Sequence, residues 1–166
     1  MINPNHEDNV HPARSRPVHL PNLEVPNRST IIFLTVCVTG RRPLLARPAI
    51  QSLLETIWSK SSAWLVGRYV LMPGHVHLCC APATRDALPL ASWVRFWKSW
   101  STRQWSYPDE VPVWQRNFWD RQLRSRESYS EKWAYIEMNP VRSGLCSKPD
   151  DWPFRGELNQ FRYHDA

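Results

Sequence analysis

No two of the four cysteines, Cys37, Cys79, Cys80 and Cys146, have CxxC spacing, and two of them are adjacent. That argues against a disulfide framework and for a reducing cytoplasm. No apolar run reaches membrane-spanning length, and the first residues lack the apolar core of a signal sequence. The expectation is a soluble, cytoplasmic protein with no membrane partner. Lysine is scarce too, occurring only at 60, 98, 132 and 148, although lysine and arginine together number 21 against 15 acidic residues. The excess of +6 is therefore mostly guanidinium, which forks onto phosphate oxygens and stacks on bases, so the balance favours a polyanionic partner. Glycines number five against fifteen prolines. Five of those prolines fall in the first 26 residues, where no apolar periodicity appears. Residues 1–28 thus read as an extended arm and 29–166 as one folded domain.

What is present is enough apolar residue, 42 %, for a core, and ten tryptophans. Residues 30–39 are β-branched or apolar almost throughout, as in a central strand covered on both faces. Ile50, Leu53, Leu54, Ile57 and Trp58 recur with helical spacing and predict an amphipathic helix over about 47–60. A strand through Trp64, Val66, Arg68 and Tyr69 is joined by Met72-Pro73-Gly74 to a second through His75-Val76-His77, so the two are antiparallel neighbours. Leu90, Trp93, Val94, Trp97 and Trp100 predict a helix over about 88–105, their stripe facing the core. One or two short strands are expected within 113–124. A last helix runs from Glu127 to about Met138, with Ser125 as its N-cap and Pro140 limiting it. Strand, helix, strand, strand, helix, strand, helix resembles the split βαβ, ferredoxin-like arrangement: an α+β antiparallel sheet with helices packed mainly on one face. The other face is then open to a ligand.

Alternate side chains of a strand share a face, so His75 and His77 project side by side while Val76 and Leu78 point the other way. Such a pair is either half-buried packing or one side of a divalent cation site. On the last helix Tyr135 and Asn139 are four apart and share a face. A tyrosine can be a covalent nucleophile, and an amide oxygen is an acceptable hard ligand.

The run Tyr69-Val70-Leu71-Met72-Pro73-Gly74-His75-Val76-His77-Leu78 is followed by Trp114-Gln115, Phe118-Trp119-Asp120-Arg121 and Arg124. After these comes Tyr135-Ile136-Glu137-Met138-Asn139-Pro140-Val141-Arg142-Ser143-Gly144-Leu145. In order and spacing this resembles the REP-associated tyrosine transposases, single-tyrosine members of the HUH endonucleases, over roughly residues 17–155. The resemblance implies that His75, His77 and Asn139 hold Mg²⁺ or Mn²⁺. It implies that Tyr135 attacks a phosphodiester of single-stranded DNA, leaving a 5′-phosphotyrosine and a free 3′-OH. It also implies that the partner DNA carries a hairpin of the repetitive extragenic palindrome type, met at the nucleoid. The family usually carries Asn just before the first histidine, where this chain has Gly74; a turn tolerates either.

For the DNA contacts, Arg116, Arg121 and Arg124 in the aromatic-basic segment come first, with Arg41, Arg42 and Lys98 behind them. A competing reading is a nucleic-acid hairpin-binding module that performs no chemistry. A third is a zinc site built from His75, His77 and Cys79, disfavoured because three ligands so close on one strand do not easily surround a tetrahedral ion. The chain acts as a monomer or as a homodimer whose site is completed in trans.

Overall fold

The structure, a computed structural model, describes residues 30–123 and 126–162. The proline-rich arm, the Ser125 cap and Arg124 lie outside the described residues. The elements are β1 Ile31–Cys37, α1 Pro48–Ser59, β2 Trp64–Met72, β3 His75–Pro82 and α2 Leu90–Arg103. They are followed by β4 Trp119–Leu123, α3 Arg126–Glu137, a four-residue α4 Asn139–Arg142 and β5 Arg155–Glu157. All strand pairings are antiparallel and the sheet order is β4-β1-β3-β2-β5. The first four strands have the ferredoxin-like order expected of the pattern. β5 is an addition, pairing Arg155 with Val70 on the outer edge of β2. Its three residues, Arg-Gly-Glu, carry no alternation of their own, so the segment shows no strand signal.

The sheet is covered on both faces, unequally. On one, Ile32, Leu34, Val36, Val66, Leu71, Val76, Leu78 and Cys80 pack against Ile50, Leu54, Ile57 and Trp58 of α1 and Leu90, Trp93, Val94 and Trp97 of α2. Trp64 stacks on Trp93, and other tryptophan pairs meet edge to face, with ring centroids 5.8 Å apart for Trp58–Trp97 and 5.2 Å for Trp97–Trp114. This is the geometry aromatic quadrupoles prefer. Trp100 departs from the stripe expected of α2; it is 43 % exposed and lies against Phe96 on the outer surface. On the other face Ile31, Phe33, Val70, Met72, Cys79 and Leu123 pack against Tyr129, Trp133 and Ile136 of α3 and against Trp152. The histidine face is therefore partly roofed by α3 rather than left open. The apolar residues of α3 must be buried somewhere, and the α1–α2 layer already fills the opposite face.

Two buried indoles test how this core is held. Trp64 Nε1 donates to the Leu88 carbonyl at 2.7 Å, whereas Trp97 Nε1 has no hydrogen-bond acceptor among the described residues. Trp64→Phe should therefore cost more than Trp97→Phe, because it removes an indole hydrogen bond, whereas Trp97 has none among the described residues to lose. Trp97→Ala should cost about 3–5 kcal/mol. Urea denaturation of the three variants measures the order.

Candidate nucleic-acid and metal site

β1 pairs with β3 so that Thr35 is opposite His77 and Cys37 opposite His75. The turn Pro73–Gly74 that leads into β3 is tied on both carbonyls. Leu45 N–H donates to Pro73 O and Val38 N–H to Gly74 O, each at 2.9 Å. These bonds fix the first residue of β3, which is His75. The two imidazoles converge, His75 Nε2 lying 3.1 Å from His77 Nε2 with the rings nearly perpendicular. Thr35 Oγ1 is 2.9 Å from His77 Nδ1, which orients that ring. Phe33 stacks on it at 5.6 Å. Burial pulls both imidazoles below their ordinary pKa of 6.5, His75 to about 4 and His77 to about 3. Neighbouring charge assists: Arg41 acts on both, and His75, Lys132 and Arg142 act on His77. Both rings are neutral at pH 7, the form in which imidazole ligates a metal.

The spacing of the two nitrogens fits a shared cation. Ligand atoms ~2.1 Å from an ion and ~90° apart lie roughly 3.0 Å from one another, as in an octahedral Mg²⁺-type shell. Cys79, on the same strand face, is buried under α3 and its thiol is pushed up to about 12 by that burial. That disfavours the thiolate a zinc site would use. No group of three or more His, Cys, Asp or Glu suited to a metal occurs among the described residues. Among the described residues a third protein ligand would then be of a different type, such as an amide.

Tyr135 stands on α3, 60 % exposed. Helix α3 ends at Glu137, and Asn139 opens α4 with Pro140 behind it. The backbone of Met138 keeps helical angles, so Asn139 remains one turn beyond Tyr135 despite the proline. One side chain, absent from the expected set, joins them. Arg142 lies over the Tyr135 ring at 3.9 Å, donates to the Tyr135 carbonyl at 2.5 Å and donates to Asn139 Oδ1. Its position three residues after Asn139 and seven after Tyr135, on one helical face, is the signal that could have found it. Since its charge also acts on His77, Arg142 lies between the two motifs electrostatically.

The basic residues divide. Arg41 has φ 55 beside Gly40 at φ 67, and this left-handed turn brings Nη1 to within 3.5 Å of His75 Nδ1. Arg121 is exposed on β4, opposite Phe33 and hence on the histidine face. Arg116 is exposed in the loop before β4. Arg42 and Lys98 have other work. Arg42 Nε donates to Thr39 O at 3.1 Å and its Nη2 to Glu110 O at 2.8 Å and to Pro112 O. Lys98 Nζ donates to the carbonyls of Gln115 and Arg116. Both clamp loop backbone, which commits most of their donors. Carbonyl groups gathered by folding are invisible in a list of charged residues, so these bonds could not be expected from the sequence.

Gly74 is less interchangeable than a turn position suggests. A Cβ there would stand 2.6 Å from the Arg41 carbonyl oxygen. Gly74→Ala and Gly74→Asn should each cost about 1–3 kcal/mol in urea denaturation, since the collision begins at Cβ. The histidines give a pH signature. With pKa values depressed in the folded chain, the unfolded chain binds more protons below pH 6.5. In the presence of a chelator, stability should fall as pH drops from about 6.5 towards 4. Melting temperatures across that range should vary less in the His75→Gln, His77→Gln double variant.

No family model matches the chain. A REP-associated tyrosine transposase of Escherichia coli (strain K12) is 27% identical over 125 residues, which span 74% of this chain and 73% of that protein. Among solved structures, a REP-associated tyrosine transposase bound to a REP hairpin superposes with a TM-score of 0.68 at 24% identity, covering 83% of this chain and 81% of that one. The open five-stranded α+β sheet is the fold of that structure. In sequence and in fold the chain is similar to the REP-associated tyrosine transposases, the family that its His-Val-His and Tyr-to-Asn-Pro motifs resemble.

Proposed function

We propose that the chain is a transposase-like protein that binds DNA hairpins of the REP type and cuts and rejoins the attached single strand through Tyr135. The observation that carries this reading is the 3.1 Å convergence of two neutral imidazole nitrogens on the sheet face that α3, the helix of Tyr135, covers. The similarity to the Escherichia coli transposase over three quarters of the chain supports it, as does the fold shared with the hairpin-bound structure. No helix among the described residues is long and apolar enough to cross a membrane.

In this reading His75, His77 and Asn139 hold Mg²⁺ or Mn²⁺, which would withdraw charge from the phosphodiester when bound. Tyr135 gives up its phenolic proton as its oxygen bonds phosphorus. The 3′-oxygen leaves and takes up a proton, so a 5′-phosphotyrosine and a free 3′-OH remain. The retained phosphoester keeps the bond energy, and attack by a 3′-OH reverses the step without a nucleotide cofactor. Arg142, face-on to the Tyr135 ring, would stabilise the negative charge developing on the phenol oxygen.

A second reading is a hairpin-binding module without chemistry. It is favoured by the occupation of Asn139 Oδ1 by the Arg142 guanidinium, which must move if that oxygen is to ligate a metal. Incubation with a REP-type hairpin carrying a single-stranded flank, in Mg²⁺ or Mn²⁺, separates the two. The enzyme reading expects a covalent protein–DNA adduct that vanishes in Tyr135→Phe and with chelator. Binding with no adduct under any of these metals would leave the module reading standing.

A further inference from the structure

The histidine face carries a second cationic feature. Lys132, on α3 one turn before Tyr135, places Nζ 5.1 Å from the centroid of the Phe33 ring, and that ring stacks on His77 at 5.6 Å. Arg121 is the direct cross-strand partner of Phe33, so its side chain rises beside the same ring. Two cations thus flank one aromatic floor, one ring-stack away from the imidazole pair. Neither has a carboxylate partner among the described residues. Lys132 is half-buried there, and burial followed by the charge of Arg121 lowers its pKa. Like charges held together over a π face at partial desolvation are costly unless an anion arrives. Phe33 offers the ammonium only a weak cation–π return.

We infer that Lys132 and Arg121 form a phosphate subsite that seats the backbone of a single strand beside the phosphate addressed by His75 and His77. The inference rests on the reading of this face as the one that meets single-stranded DNA. A phosphodiester oxygen between the two cations relieves their repulsion, and the fork of Arg121 and the point charge of Lys132 grip it from different sides. The i, i+3 spacing of Lys132 and Tyr135 puts subsite and phenol on neighbouring turns of one helix. A strand held by Lys132 and Arg121 would then run along α3 past Tyr135. The sequence carries no sign of this role for Lys132, because a lone lysine on a helix ordinarily faces solvent.

The test is equilibrium binding of a fluorescent oligothymidylate strand in chelator, in the Tyr135→Phe background, over a series of salt concentrations. Loss of one phosphate contact to single-stranded DNA lowers the slope of log affinity against log salt by about 0.7. Lys132→Met and Arg121→Met should each lower the slope by about that amount and weaken binding several-fold. The double variant should lose little more slope than either alone, because both act on one phosphate. Lys132→Arg should restore the slope, and Lys60→Met, on the far side of the sheet, should leave it unchanged. Slopes equal to the parent in Lys132→Met and Arg121→Met overturn the inference. So does an equal fall in Lys60→Met, which would mark a general charge effect. If Lys132→Met fails to fold, Arg121→Met, exposed on the edge strand, decides alone. Cleavage plays no part in the measurement. Slope changes without any covalent adduct in the Tyr135 chain would sink the proposed reaction and leave the subsite. An adduct with unchanged slopes would do the reverse.

Discussion

Everything near the histidines depends on side-chain parity in β3. Val76, Leu78 and Cys80 belong to the core beneath α1 and α2, while His75, His77 and Cys79 face α3. A slip of one residue would exchange the two sets, burying the imidazoles among tryptophans and placing three apolar groups beside Arg41 and Lys132. The penalty for that exchange is shared by every residue of the strand, so register is held by hydrophobic burial over the whole sheet. The pair of nitrogens is thus positioned by the core on the opposite face, and Thr35 only trims the ring angle of His77.

The electrostatics of the face follow from this placement. Two imidazoles kept neutral by burial lie in the field of Arg41, Lys132 and Arg142. The positive field of these cations keeps protons off the imidazoles and attracts anions. A phosphate there would meet cations that no carboxylate among the described residues pairs with. The Arg142 guanidinium on Asn139 Oδ1 belongs to the same economy, a cation held where an amide oxygen would otherwise seek one.

The order of helices and strands was legible in the sequence because α1, α2 and β1–β3 carry long, regular apolar patterns. The four-strand topology followed from that order and from the two-residue hairpin at Pro73–Gly74. The histidine pair was legible for the same reason, since period two is a local property. What escaped were features made by long-range contact. β5 is three residues long and owes its existence to the free edge of β2. The roof that α3 forms over Phe33 and Cys79 depends on which sheet face α1 and α2 have already filled. The backbone bonds of Arg42 and Lys98 escaped because the carbonyls they bind, Glu110 and Pro112 for one and Gln115 and Arg116 for the other, come together only in the folded chain. Arg142 was present in the quoted motif, yet its role depends on the turn that α4 makes after Met138.

The contact between Gly74 and the Arg41 carbonyl couples two distant segments of the chain. The left-handed pair Gly40–Arg41 occupies the space a Cβ at position 74 needs, so a side chain there can be seated only if the loop after β1 moves with it. That loop carries Arg41 to His75, and the turn at Gly74 launches the strand of both histidines. Two segments more than thirty residues apart are thus one mechanical unit, and a shift in either one displaces the cation and the imidazole together.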